Sequence, residues 1–267
     1  MPRYVNFTLM GKHRWGLVVD GGVLELTSSP YDGGPLAVEG EDEGGVRGDV
    51  LPWDLLVLDP PARPTKVVAV GRNYAEHAAE LGNDVPAEPL LFIKPPSCLI
   101  GHDAAIVYPT GQTELVHHEG ELALVIGRRA RHVAEADADR YILGYTVMND
   151  VTARDLQRKD VQFTRAKSFD TFGPLGPWVD TDFAPADQRI RVHVNGELRQ
   201  DSTLDKMVFQ PRFLVAYVSR IMTLEPGDVI TTGTPSGVGP LLPGDTVEVS
   251  IAGLGALRNA VVAVSGS

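Results

Sequence analysis

The chain reads as an α+β protein dominated by antiparallel β-sheet: a mixed β-sandwich or roll with a small β-rich N-terminal extension. Three observations predict this. Short β-branched or apolar runs outnumber helix-period segments. Gly 28 and Pro 20 in 267 residues make turns frequent. Alternating βα units are absent, which argues against a doubly wound sheet.

The elements follow in order. YVNFTLM and RWGLVV in the first 20 residues alternate loosely, and the Gly21-Gly22 pair joins RWGLVVD to VLELT as a hairpin. Residues 32–50 are Gly-rich, acidic and aperiodic, so they read as a loop or a weakly ordered segment. A Pro cluster at 60–64 marks a boundary, giving an N-terminal domain of residues 1–64 and a catalytic body of 65–267.

Beyond it KVVAV is a strand, and NYAEHAAEL (73–81) is a short helix rich in Ala and Glu. LLFIK (90–94), AAIVY (104–108), ELALVIG (121–127) and ILGYTVMND (142–150) are strands. TARDLQRKD (152–160) is a helix with Asp150 or Thr152 as its N-cap. IRVHVNGELRQ (190–200) is a hairpin turning at Asn-Gly. Pro211 opens the longest helix, with Phe213, Tyr217 and Ile221 spaced along one face. LEPGDVI and LLPGDTVEV are turn-then-strand units.

Composition narrows function. Lys plus Arg is 24 and Asp plus Glu is 35, a formal net charge of −11. That balance disfavours a nucleic-acid partner, which needs a basic surface. A lone cysteine, Cys98, excludes an intrachain disulfide and a cysteine-rich zinc site. The N-terminus has no apolar signal region, and no stretch reaches the length of a membrane span. The expectation is a cytoplasmic protein with no membrane partner.

Five segments carry candidate chemistry. In HHEGELALVIG, Glu119 and Glu121 stand two apart at the head of a strand, so both carboxylates face one way. Like charges so placed call for a hard divalent cation between them, or stand on a solvated strand edge. Asp150 ends another apolar strand and would complete a three-carboxylate site with open positions for water and substrate; alone it reads equally as an N-cap. His77 and Glu80, at i and i+3, share a helix face and suit proton transfer, or are simply solvated. Lys167 would supply positive charge near a developing oxyanion, or lie exposed in a loop. Thr234 sits in TTGTPSGVGP, a Gly-rich turn able to bind a carboxylate but lacking the phosphate-loop lysine.

GRNYAEHAAE, LFIKP, HHEGELALVIG, NDVTARDLQ, AKSFDTFGP, VNGELRQ, IMTLEPGD and TGTPSGVGP occur in this order over about residues 65–260. Together they resemble the fumarylacetoacetate hydrolase family. The resemblance implies a homodimer and a divalent ion, Mg²⁺ or Mn²⁺ with Ca²⁺ as a further option, held by Glu119, Glu121 and Asp150. It implies that His77 and Glu80 form a proton-transfer dyad on a lid-like helix, and that Lys167 lies near the metal and a substrate oxygen. It further implies that Arg154 and Gln157 contact substrate or the dyad, and that Thr234 contacts a substrate carboxylate.

The larger hydrolases of the family place a further metal-binding aspartate just upstream of the histidine. Here that stretch reads Gly71-Arg72-Asn73-Tyr74, similar to the smaller three-carboxylate subgroup. The implied activity is metal-dependent cleavage of a C–C bond in a small anionic 2-oxo acid, either 2,4-dioxo or oxaloacetate-like, through an enolate. The alternatives are a 2-hydroxyhepta-2,4-diene-1,7-dioate isomerase or decarboxylase of aromatic-acid catabolism and, from another class, a non-enzymatic metal-stabilised protein. A structural metal would need neither His77 nor Glu80.

Overall fold

The computed structural model describes residues 2–31 and 45–263. Its architecture is the expected mainly-β one, with few and short helices. One large sheet runs in the order Val46–Pro52, Gly22–Leu26, Lys12–Val19, Arg3–Leu9, Gly173–Asp180, Ile142–Asn149, Gly120–Ile126, Val229–Thr231, Val67–Gly71 and Leu90–Lys94. A five-stranded sheet orders Glu197–Thr203, Arg189–Val194, Thr246–Ile251, Gly255–Ala263 and Ile106–Tyr108. A small third sheet joins Thr152–Ala153, Val116–His118 and Gly239–Pro240.

The strand Gly120–Ile126 is buried on both faces, which is why its sequence is an unbroken apolar run after Glu121. Leu122, Leu124 and Ile126 enter the main core with Ile190, Val192 and Val249 of the five-stranded sheet. Ala123 and Val125 enter a second core with Val67, Met148 and Leu175. The N-terminal strands build a third around Val5, Phe7 and Val23. Arg3 and Tyr4 pair with Asp180 and Val179, so the strands Arg3–Leu9, Lys12–Val19, Gly22–Leu26 and Val46–Pro52 continue the large sheet.

The loop expected over 32–50 is corrected in part. Val46–Pro52 is a strand paired with Gly22–Leu26, and residues 32–44 lie outside the described residues. Tertiary pairing overrides an aperiodic sequence here. The 152–160 helix spans only Arg154–Lys159, and neither Asp150 nor Thr152 caps it. Its N-cap is Ala153, because Thr152 and Ala153 are drawn into the small sheet. The Thr152 hydroxyl donates back to the Asp150 carbonyl at 2.8 Å instead.

On the helix Pro211–Ile221 the core face is Leu214, Val215 and Val218. Phe213 and Tyr217 stack on each other at its margin, and Ile221 is exposed. The hairpin at Asn195-Gly196 forms as expected, with φ 53° and 81° at its two turn residues.

Candidate active site

The site grows from one antiparallel strand pair. Gly120 lies opposite Asn149 and Glu121 opposite Met148. Extending that register puts Glu119 opposite Asp150, and the Asp150 amide donates to the Glu119 carbonyl at 2.8 Å. Glu119, Glu121 and Asp150 therefore share one face. All three are buried, and an oxygen from each lies within 4.8 Å of the others.

Basic groups compensate two of them. The Lys167 ammonium donates to Glu119 Oε2 and Asp150 Oδ2, both at 2.6 Å, and lies 5.0 Å from the Phe92 ring centroid. Arg154 pairs with Glu119 and, at 2.5 Å, donates to Gln157 Oε1. Burial opposes the charge on Glu119, but Lys167 and Arg154 prevail and hold its carboxyl well below the usual range. Burial likewise opposes the Lys167 charge, and Asp150 and Glu119 more than restore it, so its pKa stands above the ordinary lysine value.

Glu121 makes no ion pair among the described residues. It accepts from the Thr231 hydroxyl and, at 2.8 Å, from the Gly233 amide. Burial, then the Asp150 charge, push its carboxyl well above the usual range. Three buried hard oxygen donors on one face, one lacking a cation, fit a divalent ion of the Mg²⁺ or Mn²⁺ type.

His77 is buried on the short helix Ala75–Glu80, and its Nδ1 lies 3.1 Å from Glu80 Oε2. The other oxygen of Glu80 accepts from the Gly237 amide at 3.0 Å, which ties this helix to the 231–240 turn. In that turn the Thr234 hydroxyl donates to the Gly120 carbonyl and accepts from Gln200 Nε2, both at 2.8 Å. Its single proton is thus committed to the backbone. Helix, turn and strand pair enclose a cavity of about 360 Å³. All nine sequence-expected residues line it: His77, Glu80, Glu119, Glu121, Asp150, Arg154, Gln157, Lys167 and Thr234.

Sequence reasoning missed several contributors. Lys94 is fully buried, with its ammonium 2.7 Å from Asp150 Oδ1 and bonded to the Lys167 carbonyl. The signal was a lysine closing the apolar strand LLFIK, where a buried ammonium needs a carboxylate. Gln200 was another: its Oε1 accepts from the Gly120 amide at 3.0 Å while its Nε2 serves Thr234 and the Pro235 carbonyl. Arg72 and Arg158, at the cavity wall, were not singled out either.

Comparison with known proteins bears on this arrangement. The sequence model described as Fumarylacetoacetate (FAA) hydrolase C-terminal matches residues 66–262. A human mitochondrial oxaloacetate tautomerase is 43% identical over 226 residues, 80% of this chain and 72% of that protein. A 5-carboxymethyl-2-hydroxymuconate delta-isomerase from Mycobacterium smegmatis superposes with TM-score 0.87 at 41% identity, covering 98% of this chain and 99% of that one. A fumarylpyruvate hydrolase from Pseudomonas aeruginosa, solved with Mn²⁺ and pyruvate, superposes with TM-score 0.72 at 34% identity, covering 78% and 92%. The match across three quarters of the sequence, with the fold and the three-carboxylate cluster, places this chain in the fumarylacetoacetate hydrolase family of hydrolases, isomerases and decarboxylases.

Proposed function

We propose that the protein is a divalent-metal-dependent enzyme that cleaves a C–C bond in a small 2-oxo acid, either 2,4-dioxo or oxaloacetate-like. The observation that carries this reading is the cluster of Glu119, Glu121 and Asp150 in the same cavity as the His77–Glu80 pair. Glu119 and Asp150 face Lys94, Arg154 and Lys167, and only with Glu121 also ionised do the three carboxylates balance the three cations. A divalent ion would then add positive charge to the cavity, which suits an anionic ligand. Bound there, the ion supplies Lewis acidity toward the keto and carboxylate oxygens of a 2-oxo acid.

The chain's own groups do the rest. Glu80 accepts the Nδ1 proton of His77, which fixes the tautomer and leaves Nε2 free to take a proton from water. In hydrolysis this activates the nucleophile; in an isomerase the same pair would move a proton between carbons. Lys167, its ammonium kept charged by two carboxylates, offers a donor toward negative charge developing on substrate oxygen. Gln157 is held by Arg154 at the cavity wall, where it can hydrogen-bond substrate.

The test separates binding from proton transfer. Acetylpyruvate, oxaloacetate and a hydroxyheptadienedioate are assayed with Mg²⁺ and with Mn²⁺. His77→Ala should keep its affinity for oxalate while losing about 10² to 10⁴ in acylpyruvate cleavage. Decarboxylation of oxaloacetate, which needs no water nucleophile, should suffer less. Unchanged acylpyruvate cleavage in metal-replete His77→Ala would remove His77 from the reaction.

A further inference from the structure

Two guanidinium groups on the cavity wall have no acidic partner among the described residues. Arg72 and Arg158 both line the cavity, yet neither pairs with a carboxylate among the described residues. This sets them apart from Arg154 and Lys167, which are bound to Glu119 and Asp150. The other carboxylate of the wall, Glu80, is engaged by His77 and the Gly237 amide. Within a chain of net charge −11, these two arginines are an uncompensated local positive pole.

Arg72 carries a second mark. It follows the strand Val67–Gly71 with φ 58°, in the left-handed region where a glycine would be free of strain. The chain nevertheless places a long cationic side chain at this position, on the wall of the cavity. Arg158 comes one residue after Gln157 on the helix Arg154–Lys159 and is exposed, so it stands at the open rim.

We infer that Arg72 and Arg158 form an outer anion site that takes the distal carboxylate of a dicarboxylic 2-oxo acid. This inference rests on the 2-oxo acid reading above and narrows it. The 2-oxo acid end belongs to the carboxylate cluster, and the far carboxylate to the two guanidiniums, whose planar donors suit a carboxylate. The cavity volume of about 360 Å³ lies in the range of small-ligand sites. A ligand ending in a methyl group would leave the two guanidiniums without an anion, so discrimination comes from the end group.

The experiment is isothermal titration of the Mn²⁺-loaded protein with oxalate, 2-oxoglutarate and 2-oxopentanoate. The last two have the same carbon count and differ in the end group alone. The native protein should bind 2-oxoglutarate about tenfold or more tighter than 2-oxopentanoate. Arg72→Met and Arg158→Met should each lower that ratio, and the double variant should bring it close to one. Affinity for oxalate, too short to reach the outer site, should stay within about twofold. Arg72→Gly removes the left-handed strain along with the charge and guards against a folding defect; it should lose the preference as the Met variant does.

Oxalate binding without any end-group preference in the native protein, or with a preference that survives in the double variant, overturns the outer site alone. Failure of oxalate to bind overturns the 2-oxo acid reading and the outer site with it.

Discussion

Glu121 is the residue on which metal binding can be read most directly. Buried without a cation of its own and facing Asp150, its charge is unfavourable in the metal-free protein. Glu121→Gln should therefore raise the thermal midpoint of the chelator-treated protein. In saturating Mn²⁺ the order should reverse, because only the native protein gains the binding energy, about 2.7 kcal/mol at a hundredfold excess over Kd. Thermal melts of both proteins with and without Mn²⁺ decide it, and a native protein indifferent to metal would speak against the site. The two glutamates and Asp150 were legible because strand parity and strand ends say where a side chain points. Lys94 was not, since a single lysine ending an apolar run looks like an ordinary edge charge until the tertiary fold brings Asp150 to 2.7 Å from it, although their strands are not neighbours in the sheet.

Elements here are joined by single side chains that local patterns do not reveal. Gln200 ties the hairpin strand Glu197–Thr203 to Gly120 between the two glutamates and to Thr234 and Pro235 in the turn. Gln200→Leu should cost about 1 to 3 kcal/mol in urea unfolding, because buried polar partners lose their bonds. It should also weaken oxalate binding. The Asn-Gly turn of that hairpin was readable from two residues, because both need positive φ. Its long-range bonds were not, since a glutamine on a strand has no local signature. In the N-terminal strands, burial raises the pKa of Glu25, but hydrogen bonds from Arg47 and Arg14 outweigh it and bring it below its ordinary 4.5. A depressed carboxylate stabilises the fold above the unfolded pKa and loses that contribution as pH falls through the folded one. Glu25→Gln should thus be less stable than the native protein at pH 7, on the order of 1 kcal/mol. The gap should narrow as pH falls through the folded pKa, as denaturant melts over a descending pH series will report.

Across the whole molecule, the mainly-β class followed from short β-branched runs and dense turns, whereas the strand order did not. Nothing in the local pattern of Arg3–Leu9 says that it will pair with Gly173–Asp180, far along the chain. We propose residues 1–64 as a unit added to the 65–267 body, its first strand closing the edge of Gly173–Asp180. No helix among the described residues is long and apolar enough to cross a membrane. Among the described residues the strand Leu90–Lys94 ends the large sheet with one edge unpaired, and Ile93 on it is exposed. An apolar sheet edge of this kind invites a twofold partner. Light scattering should give about twice 28.8 kDa, and Ile93→Lys should shift the population toward monomer.

That terminal strand also reaches inward. Phe92 lines the cavity, and Lys94 sets its ammonium against Asp150 and the Lys167 carbonyl. A partner docked on this edge, as predicted above, would bear on the same strand that carries Lys94 to the carboxylate cluster. Dilution of the enzyme would then act as a slow inhibitor: specific activity would fall with protein concentration, and return on concentrating the sample.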